Sequence, residues 1–482
     1  MGISLRNKKK TEKKATTARI AIWYIISSVF AKGLAVITTP IFTRLLSKTE
    51  FGQFSSFTSV ENILTIIVTL DFSASIARAK YDFDERMKEY IASILLASNI
   101  VTTLVYIVVE CNAKFFQELF SMDILYIRML FVYLLFMPAF SYMQLYHRVY
   151  QKYKFFVAFS MGTALISAVI SVILVVLLDD KLLGRTVGYL LPISIFNFFL
   201  WIYVFIKAKR VSWDCIIYAS KISIPLIPNA LSGVVLGSMD RIMITNICGA
   251  ATTAIYTVAY QVSMLVYLIW TSMNHAWSPW LFDRLHEDNH EAIRRSSKLY
   301  LGIFLGFVIG VLLVAPEVVV ILGGQAYYEA IYVMPPVVLG CVFQFVFGMY
   351  VNLEIYEKKT FTISMGTMMA ALINFVLNFV CIPRFGYIAA AYTTLIGFMA
   401  LFIFHYIIVQ IKIRKYANVY DKKFVGGVLL IATLCSAVSL ILYQCNVIRY
   451  LLLVAYIVMG LIGGYKYREF IKKLLGIKQK KC

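Results

Sequence analysis

The basic residues of this chain are unevenly distributed among the gaps between its hydrophobic segments. About fourteen apolar segments follow one another along 482 residues, each near the roughly 20 residues with which an α-helix crosses a bilayer. Alternate gaps, together with the two tails, hold 36 of the 46 Lys and Arg residues, and the other gaps hold 6. Because basic residues are retained on the cytoplasmic side, this pattern predicts a polytopic membrane protein with both termini in the cytoplasm.

We place the segments at 20–42, 52–77, 89–110, 124–146, 155–178, 186–206, 222–246, 254–280, 299–322, 331–353, 361–382, 387–411, 424–444 and 448–465. The predicted fold class is therefore an all-α polytopic membrane protein with about fourteen transmembrane helices. The longest gaps, 207–221 and 281–298, have 15 and 18 residues, which leaves no room for a soluble domain. The basic N-terminal stretch at 1–19 continues into the first segment without the small-residue cleavage site of a signal peptide. We therefore expect the first segment itself to be the targeting signal.

Composition supports a membrane protein and gives no sign of a cofactor. Hydrophobic residues make up 61% of the chain and charged residues 15%, against about 25% charged in soluble domains. The cytoplasmic flanks, which would face anionic lipid headgroups, account for most of the net charge of +21, so we expect membrane lipids and no nucleic acid as partners. The eight cysteines are scattered and form no CxxC pair, which favours apolar packing over a disulfide or a metal site.

A weak internal repeat divides the chain. At an offset of 202 residues, Phe54 matches Tyr256 and Gly184 matches Gly386, and six segments are followed by six more. An even number of spans gives both units the same orientation, which predicts two parallel six-helix lobes around a central cleft plus two C-terminal helices. The predicted divisions are a basic cytoplasmic tail at 1–19, an N-terminal six-helix lobe at 20–210 and a C-terminal six-helix lobe at 211–412. An extra helix pair with a basic cytoplasmic tail follows at 413–482.

Charged residues inside the segments are the candidate site residues, because each is costly in a bilayer unless it faces water, a partner or a cavity. Lys32 and Glu61 are predicted at similar depths, roughly 15–20 Å from the outer end of their helices. They either form an ion pair, or Lys32 faces the cleft and meets an anionic cargo. Asp71 is a weaker candidate, which either faces the cleft or serves as a cap or a partner for Arg78.

Asp240 and Arg241 are adjacent in the seventh segment, so their side chains point about 100° apart. At least one of them is expected to face the cleft or another helix. We predict Lys32 and Arg241 as substrate-binding residues in the cleft, and Glu61, Asp71 and Asp240 as candidates for ion coupling. His275 could titrate near neutral pH. We expect it instead to be a hydrogen-bonded histidine near the cytoplasmic rim of the membrane.

Two stretches carry a family resemblance. They are Pro40-Ile-Phe-Thr-Arg-Leu-Leu-Ser-Lys-Thr-Glu-Phe-Gly-Gln-Phe54 and Asn374-Phe-Val-Leu-Asn-Phe-Val-Cys-Ile-Pro-Arg-Phe-Gly-Tyr-Ile-Ala-Ala-Ala-Tyr-Thr-Thr394-Leu. With Met239-Asp240-Arg241-Ile242, the chain resembles the multidrug/oligosaccharidyl-lipid/polysaccharide flippase superfamily, in particular the O-antigen and capsule repeat-unit flippases. The similarity of pattern runs over residues 18–412.

This resemblance implies a two-lobed transporter that moves a polyprenyl-diphosphate-linked oligosaccharide from the inner to the outer leaflet of the cytoplasmic membrane. It also implies contact with a polysaccharide polymerase and with chain-length proteins. The alternatives are a multidrug or cation antiporter of the same fold, or a lipid II flippase. A membrane enzyme such as a repeat-unit polymerase is disfavoured by the short outer gaps and the absence of a catalytic constellation. The chain also lacks a Walker A sequence, which argues against ATP as the energy source.

Overall fold

The computed structural model describes residue 30, residues 33–150 and residues 154–466, and within these residues every regular element is a helix. Twelve helices are long and apolar enough to cross a membrane. Two shorter apolar helices, Gly33–Leu45 and Asn446–Ile462, lie at the positions of the first and last predicted segments. The prediction of an all-α membrane protein with about fourteen spans is confirmed.

The helices, numbered in chain order, are α1 Gly33–Leu45, α2 Lys48–Thr69, α3 Ser73–Asp82, α4 Met87–Cys111, α5 Ala113–Phe120, α6 Ile124–Val149, α7 Lys154–Leu177, α8 Lys181–Ala208, α9 Trp213–Ser223, α10 Ile227–Cys248, α11 Ala250–His286, α12 His290–Leu313, α13 Ala315–Gly323, α14 Met334–Tyr356, α15 Thr360–Phe385, α16 Ile388–Lys412, α17 Lys422–Leu442 and α18 Asn446–Lys466. Short 3₁₀ segments lie at Asp84–Arg86, Ile224–Leu226, Gln325–Tyr332 and Arg414–Tyr416. The predicted N-terminal lobe contains α1 to α8, and the predicted C-terminal lobe contains α9 to α16. The boundary between the lobes near residue 210 stays a prediction.

Three predicted segments are interrupted. Between α2 and α3 the chain turns at Leu70 and Asp71, whose φ angles of 48° and 47° lie in the left-handed region. A 3₁₀ turn at Ile224–Leu226 separates α9 from α10, where Pro225 removes a backbone donor. The segment predicted at 299–322 is divided between α12 and α13.

The two lobes meet where α2 and α11 begin. These helices start at Lys48 and Ala250, which are 202 residues apart, the offset of the sequence repeat. A Cβ built on Gly52 would lie 1.7 Å from the Ala250 carbonyl oxygen and 3.1 Å from the Ala254 nitrogen. The two backbones therefore touch at a point that only glycine permits.

The last two helices are anchored to the second lobe by a buried arginine. Arg449 of α18 donates to both carboxylate oxygens of Glu317 at 2.6 Å and to the Leu313 carbonyl oxygen at 2.8 Å. Tyr443 at the end of α17 donates to the Leu312 carbonyl oxygen at 3.0 Å. Charge-assisted hydrogen bonds of this kind fix the register of a helix against its neighbours.

Candidate functional site

A cavity of about 520 Å³ lies between the two lobes. Helices α1, α2 and α8 line it from the first lobe, and α10, α11, α14 and α16 line it from the second. Its volume is within the range of small-molecule binding pockets, roughly 300–1,000 Å³. The predicted cleft between the lobes is thus a feature of the structure.

Where α1 turns into α2, hydrogen bonds join the two lobes beside the cavity. The hydroxyl of Thr43 donates to the Leu322 carbonyl oxygen at 2.6 Å, and an Nη of Arg44 donates to the Ile321 carbonyl oxygen at 3.2 Å. These bonds join the end of α1 to α13 of the other lobe. We call this arrangement, together with the Gly52 contact, the α1–α2 seal.

Arg241 lines the cavity, and its predicted role in substrate binding stays a prediction. Its guanidinium lies 5.0 Å from the centre of the Tyr260 ring and donates to the Gly237 carbonyl oxygen at 3.0 Å. Within the part of the chain that the structure describes, no carboxylate forms an ion pair with it. The ring holds the cation at the cavity wall while leaving its charge free to meet a ligand.

Arg185 is a second cavity arginine, contributed by α8 of the first lobe. Its guanidinium is stacked 3.7 Å from the centre of the Phe42 ring and 4.2 Å from that of Phe54. Its buried Nε has no hydrogen-bond partner, and no ion pair reaches it among the described residues. The guanidinium is half-buried and has no carboxylate partner among the described residues, so an anion in the cavity would offset its charge.

Asp240 points away from the cavity and into a buried polar cluster. Its carboxylate accepts hydrogen bonds from the Tyr256 hydroxyl at 2.5 Å, the Asn378 amide at 2.6 Å and the Thr394 hydroxyl at 2.7 Å. Asn374 donates to the same Thr394 hydroxyl at 3.0 Å. The polar residues of the second resemblance motif thus converge on Asp240, because Asn374 and Asn378 are one turn apart on α15.

Thr394 connects this cluster to the cavity, since it both lines the cavity and donates to Asp240. Asp240 therefore lies directly behind the cavity wall. The expectation that the neighbours Asp240 and Arg241 point in different directions agrees with this geometry.

Glu61 is buried inside the first lobe. It accepts hydrogen bonds from the Tyr189 hydroxyl at 3.0 Å and 3.2 Å, and Tyr189 stands one turn after Arg185 on α8. Lys32, the other half of the predicted pair, lies outside the described residues. Their pairing therefore stays a prediction.

Asp71 lies in the turn between α2 and α3, where the Ser73 hydroxyl donates to its carboxylate at 3.0 Å. The ion-pair partner of Arg78 is Asp82, at 3.5 Å, and not Asp71. Asp71 thus serves the turn, and it does not line the cavity.

The nearest approach to a metal-binding group among the described residues is Glu89, Asp214 and Cys215. Arginines already pair with both carboxylates. Arg86 lies 2.6 Å from Glu89 and 3.0 Å from Asp214, and Arg210 lies 2.8 Å from Glu89. These contacts make the group an ion-pair network that fastens α9 to α4.

The charge of the cavity is of one sign over its described surface. Arg185 and Arg241 are its charged side chains, and no Asp or Glu lines it in the described part of the chain. The remaining polar lining consists of hydroxyl and amide groups, among them Asn62, Gln261 and Gln344. Such a surface suits an anionic ligand that also carries many hydroxyl groups.

The family model for polysaccharide biosynthesis proteins matches residues 18–286, more than half of the chain. The chain belongs to this family. No curated protein matches it.

Solved structures similar to this family member share its fold. A lipid II flippase, MurJ, in an inward closed conformation has a TM-score of 0.69 at 14% identity, over 94% of this chain and 100% of that one. An inward-facing multidrug resistance MATE transporter has a TM-score of 0.58 at 15% identity, over 80% of this chain and 96% of that one. A superfamily transporter from Pyrococcus furiosus, described as having a binding pocket of reverse polarity, has a TM-score of 0.53 at 15% identity, over 84% and 96%.

Sequence reasoning about this family member missed Arg185. We placed the sixth segment at 186–206, which assigned Arg185 to a gap. Helix α8 instead begins at Lys181, where the Asp180 carboxylate accepts from the Leu183 backbone nitrogen at 2.9 Å. The available signal was the N-cap aspartate followed by a helical run, which starts the helix one turn earlier.

Proposed function

We propose that this protein moves a polyprenyl-diphosphate-linked oligosaccharide, an O-antigen or capsule repeat unit, from the inner to the outer leaflet of the cytoplasmic membrane by alternating access. The observation that carries the proposal is the cavity with one unpaired arginine from each lobe, Arg185 and Arg241, and no lining carboxylate among the described residues. Membership of the polysaccharide biosynthesis family supports the oligosaccharide cargo.

Guanidinium groups suit the diphosphate of such a cargo. Arginine binds phosphate oxygens through two parallel hydrogen bonds, and a hydrogen bond to a charged group contributes about 1.5–3 kcal/mol. Because Arg185 and Arg241 belong to different lobes, one diphosphate between them would draw the lobes together. The amide and hydroxyl groups of the lining would meet the sugars.

The orientation predicted from the basic gaps puts both termini in the cytoplasm and the α1–α2 seal on the outer side. In the state described here, the cargo would therefore enter the cavity from the inner leaflet. Opening of the α1–α2 seal would release it outward. The lipid tail would stay in the bilayer.

The energy would come from an ion gradient or from consumption of the product on the outer side. Asp240 is the best placed of the three predicted coupling residues, because it lies behind the cavity wall and next to Arg241. Glu61 also bonds to a cavity-lining residue, Tyr189, but no cavity arginine is next to it in the chain, and Asp71 is in a turn.

Two rivals share the fold. A multidrug or cation antiporter would need a cavity that attracts cations, which the two unpaired arginines oppose. A lipid II flippase would bind the same diphosphate, so only the sugars distinguish it. The cavity gives no support for the idea that this chain is itself a polymerase. A separate polymerase, with its chain-length proteins, would receive the cargo on the outer side.

The test is transport by the purified full-length protein in proteoliposomes. We expect a polyprenyl-diphosphate oligosaccharide to cross between leaflets faster than in protein-free vesicles, and a lipophilic cation not to be transported. A parallel sample with lipid II separates the two flippase functions. If no lipid diphosphate crosses faster with the protein than without it, the proposal fails.

A further inference from the structure

The short helices α5 and α13 are equivalent under the 202-residue repeat. Helix α5 begins at Ala113 and α13 begins at Ala315, which are 202 positions apart. Each lies between two longer helices, on the side of the molecule that the basic gaps predict to be the outer one. Each also ends against a helix of the other lobe.

The end of α13 is bonded to α1 of the first lobe. An Nη of Arg44 donates to the Ile321 carbonyl oxygen at 3.2 Å. An offset of 202 residues relates Arg44 to Asn246 of α10, and it relates Ile321 to Leu119 of α5. The repeat therefore indicates where an equivalent bond between the lobes would lie.

The equivalent bond is present in the structure. The side-chain amide of Asn246 donates to the Leu119 carbonyl oxygen at 2.7 Å, and the Ser121 hydroxyl donates to the side-chain oxygen of Asn246. The last carbonyl groups of a helix lack donors within the helix, so a donor from the other lobe satisfies them. We call the Arg44 bond the first clasp and the two Asn246 bonds the second clasp.

The two gate helices differ in their other polar contacts. Arg449 of α18 binds both carboxylate oxygens of Glu317 in α13. The counterpart of Glu317 in α5 is Phe115, whose side chain is 59% exposed. Helix α5 packs on its own lobe through Phe116 and Phe120. Within the described residues, the second clasp contains the hydrogen bonds that join α5 and its C-cap to the second lobe.

We propose that Asn246 is a positioning residue for transport, which together with Arg44 holds the two lobes against each other on the outer side. Because the repeat relates the two clasps, they lie on opposite sides of its axis, which passes through the contact of Gly52 with α11. Each clasp joins the lobes, so neither can persist when the lobes separate on this side. The inference rests on the proposed function, because it takes alternating access as the transport mechanism.

The test is the distance between the lobes at their outer ends, measured by double electron–electron resonance on the full-length protein in lipid nanodiscs. Spin labels at Lys181→Cys in α8 and at Gln444→Cys after α17, both exposed positions, are introduced into a background without native cysteines. We expect Asn246→Ala to raise the ratio of long to short distances by roughly two- to tenfold, as the loss of a hydrogen bond predicts. Arg44→Ala should change the ratio in the same direction.

Two further variants separate the second clasp from a general effect on folding. Asn246→Arg should restore most of the short distances, because arginine makes the equivalent bond in the first clasp. Asn112→Ala is the matched control, since the Asn112 amide lies on the same side but donates to the Val108 carbonyl oxygen of its own helix at 2.9 Å. An unchanged ratio in Asn246→Ala, or an equal rise in Asn112→Ala, would overturn the proposal.

A cross-link tests the second clasp without weakening it. Ser121→Cys combined with Asn246→Cys puts two thiols at the contact. A disulfide between them should stop the transport of a polyprenyl-diphosphate oligosaccharide in proteoliposomes until it is reduced. Equal transport by the oxidised and reduced forms, above the protein-free rate, would show that the clasp stays closed and would also overturn the proposal. Failure of the proposed function gives a different result, in which neither form transports the cargo while the measured distances still respond to Asn246→Ala.

Discussion

Arg185 and Arg241 face the same cavity from opposite lobes, and each guanidinium lies over an aromatic ring with no carboxylate partner in the described structure. The rings fix the position of the two cations without neutralising them. An anion that binds both arginines would make contact with both lobes. The proposed cargo would in this way link its own recognition to the relative position of the lobes.

Replacement of either arginine should weaken cargo binding. Loss of a charge-assisted contact worth about 1.5–3 kcal/mol corresponds to roughly a ten- to hundredfold weaker affinity. We expect this for Arg185→Gln and for Arg241→Gln, measured as binding of a polyprenyl diphosphate to the protein in nanodiscs. Arg128→Gln is the control, because Arg128 pairs with Glu110 outside the cavity. Equal affinity in all three variants would exclude the two arginines from the site.

Lys32 is predicted to belong to the same cationic surface. Lys32 lies outside the described residues, and the sequence predicts it inside the first membrane span as a cleft residue. Lys32→Ala should slow transport in proteoliposomes by about tenfold, with normal insertion into the membrane. Lys181→Ala, at the exposed start of α8, should transport normally. A normal rate for Lys32→Ala would remove Lys32 from the proposed site.

Asp240 is expected to couple transport to an ion gradient. Asp240→Asn keeps the shape of the side chain but cannot bind a proton or attract a cation as a carboxylate does. We therefore expect this variant to bind cargo and to lose the acceleration that an imposed proton or sodium gradient gives to the wild-type protein. Glu61→Gln and Asp71→Asn serve as comparisons and should keep the response. A full response in Asp240→Asn would rule out Asp240 as the coupling group.

Gly52→Ala should loosen the α1–α2 seal. Its Cβ would overlap the Ala250 carbonyl oxygen, and overpacking of this kind costs about 1–3 kcal/mol. We expect Cys248, which is half-buried at the end of α10, to react at least about fivefold faster with a thiol reagent. The Gly52→Ala variant and its Gly52 reference are compared in a background in which Cys248 is the sole cysteine. Gly426→Ala, where a Cβ meets nothing within 4 Å, should not change the rate.

The hydrophobic segments and the two-lobed plan were predictable because each helix needs a long apolar run to cross a bilayer. The residues at the ends of the segments are harder to predict. The predicted sixth segment begins at 186 and leaves Arg185 in a gap, because a single N-cap aspartate, Asp180, starts α8 earlier. A hydropathy window does not locate a helix end to within one turn.

Other features depend on tertiary contacts. Leu70 and Asp71 adopt left-handed φ angles. Aspartate tolerates this region, but leucine does not signal such a turn. Asp240 was identified as a buried charge, but its hydrogen bonds come from α11, α15 and α16, more than a hundred residues away in two of the three cases. Sequence spacing shows that Asn374 and Asn378 share a face, and only the fold shows what that face meets.

The contact of Gly52 with Ala254 has an evolutionary consequence. The two residues are equivalent under the 202-residue repeat, so each touches its own counterpart. In a two-fold symmetric homodimer, a residue meets its own copy only on the symmetry axis. The junction of α2 and α11 therefore has the form of an isologous dimer interface, as expected if a six-helix ancestor that associated in pairs was duplicated and fused into one chain.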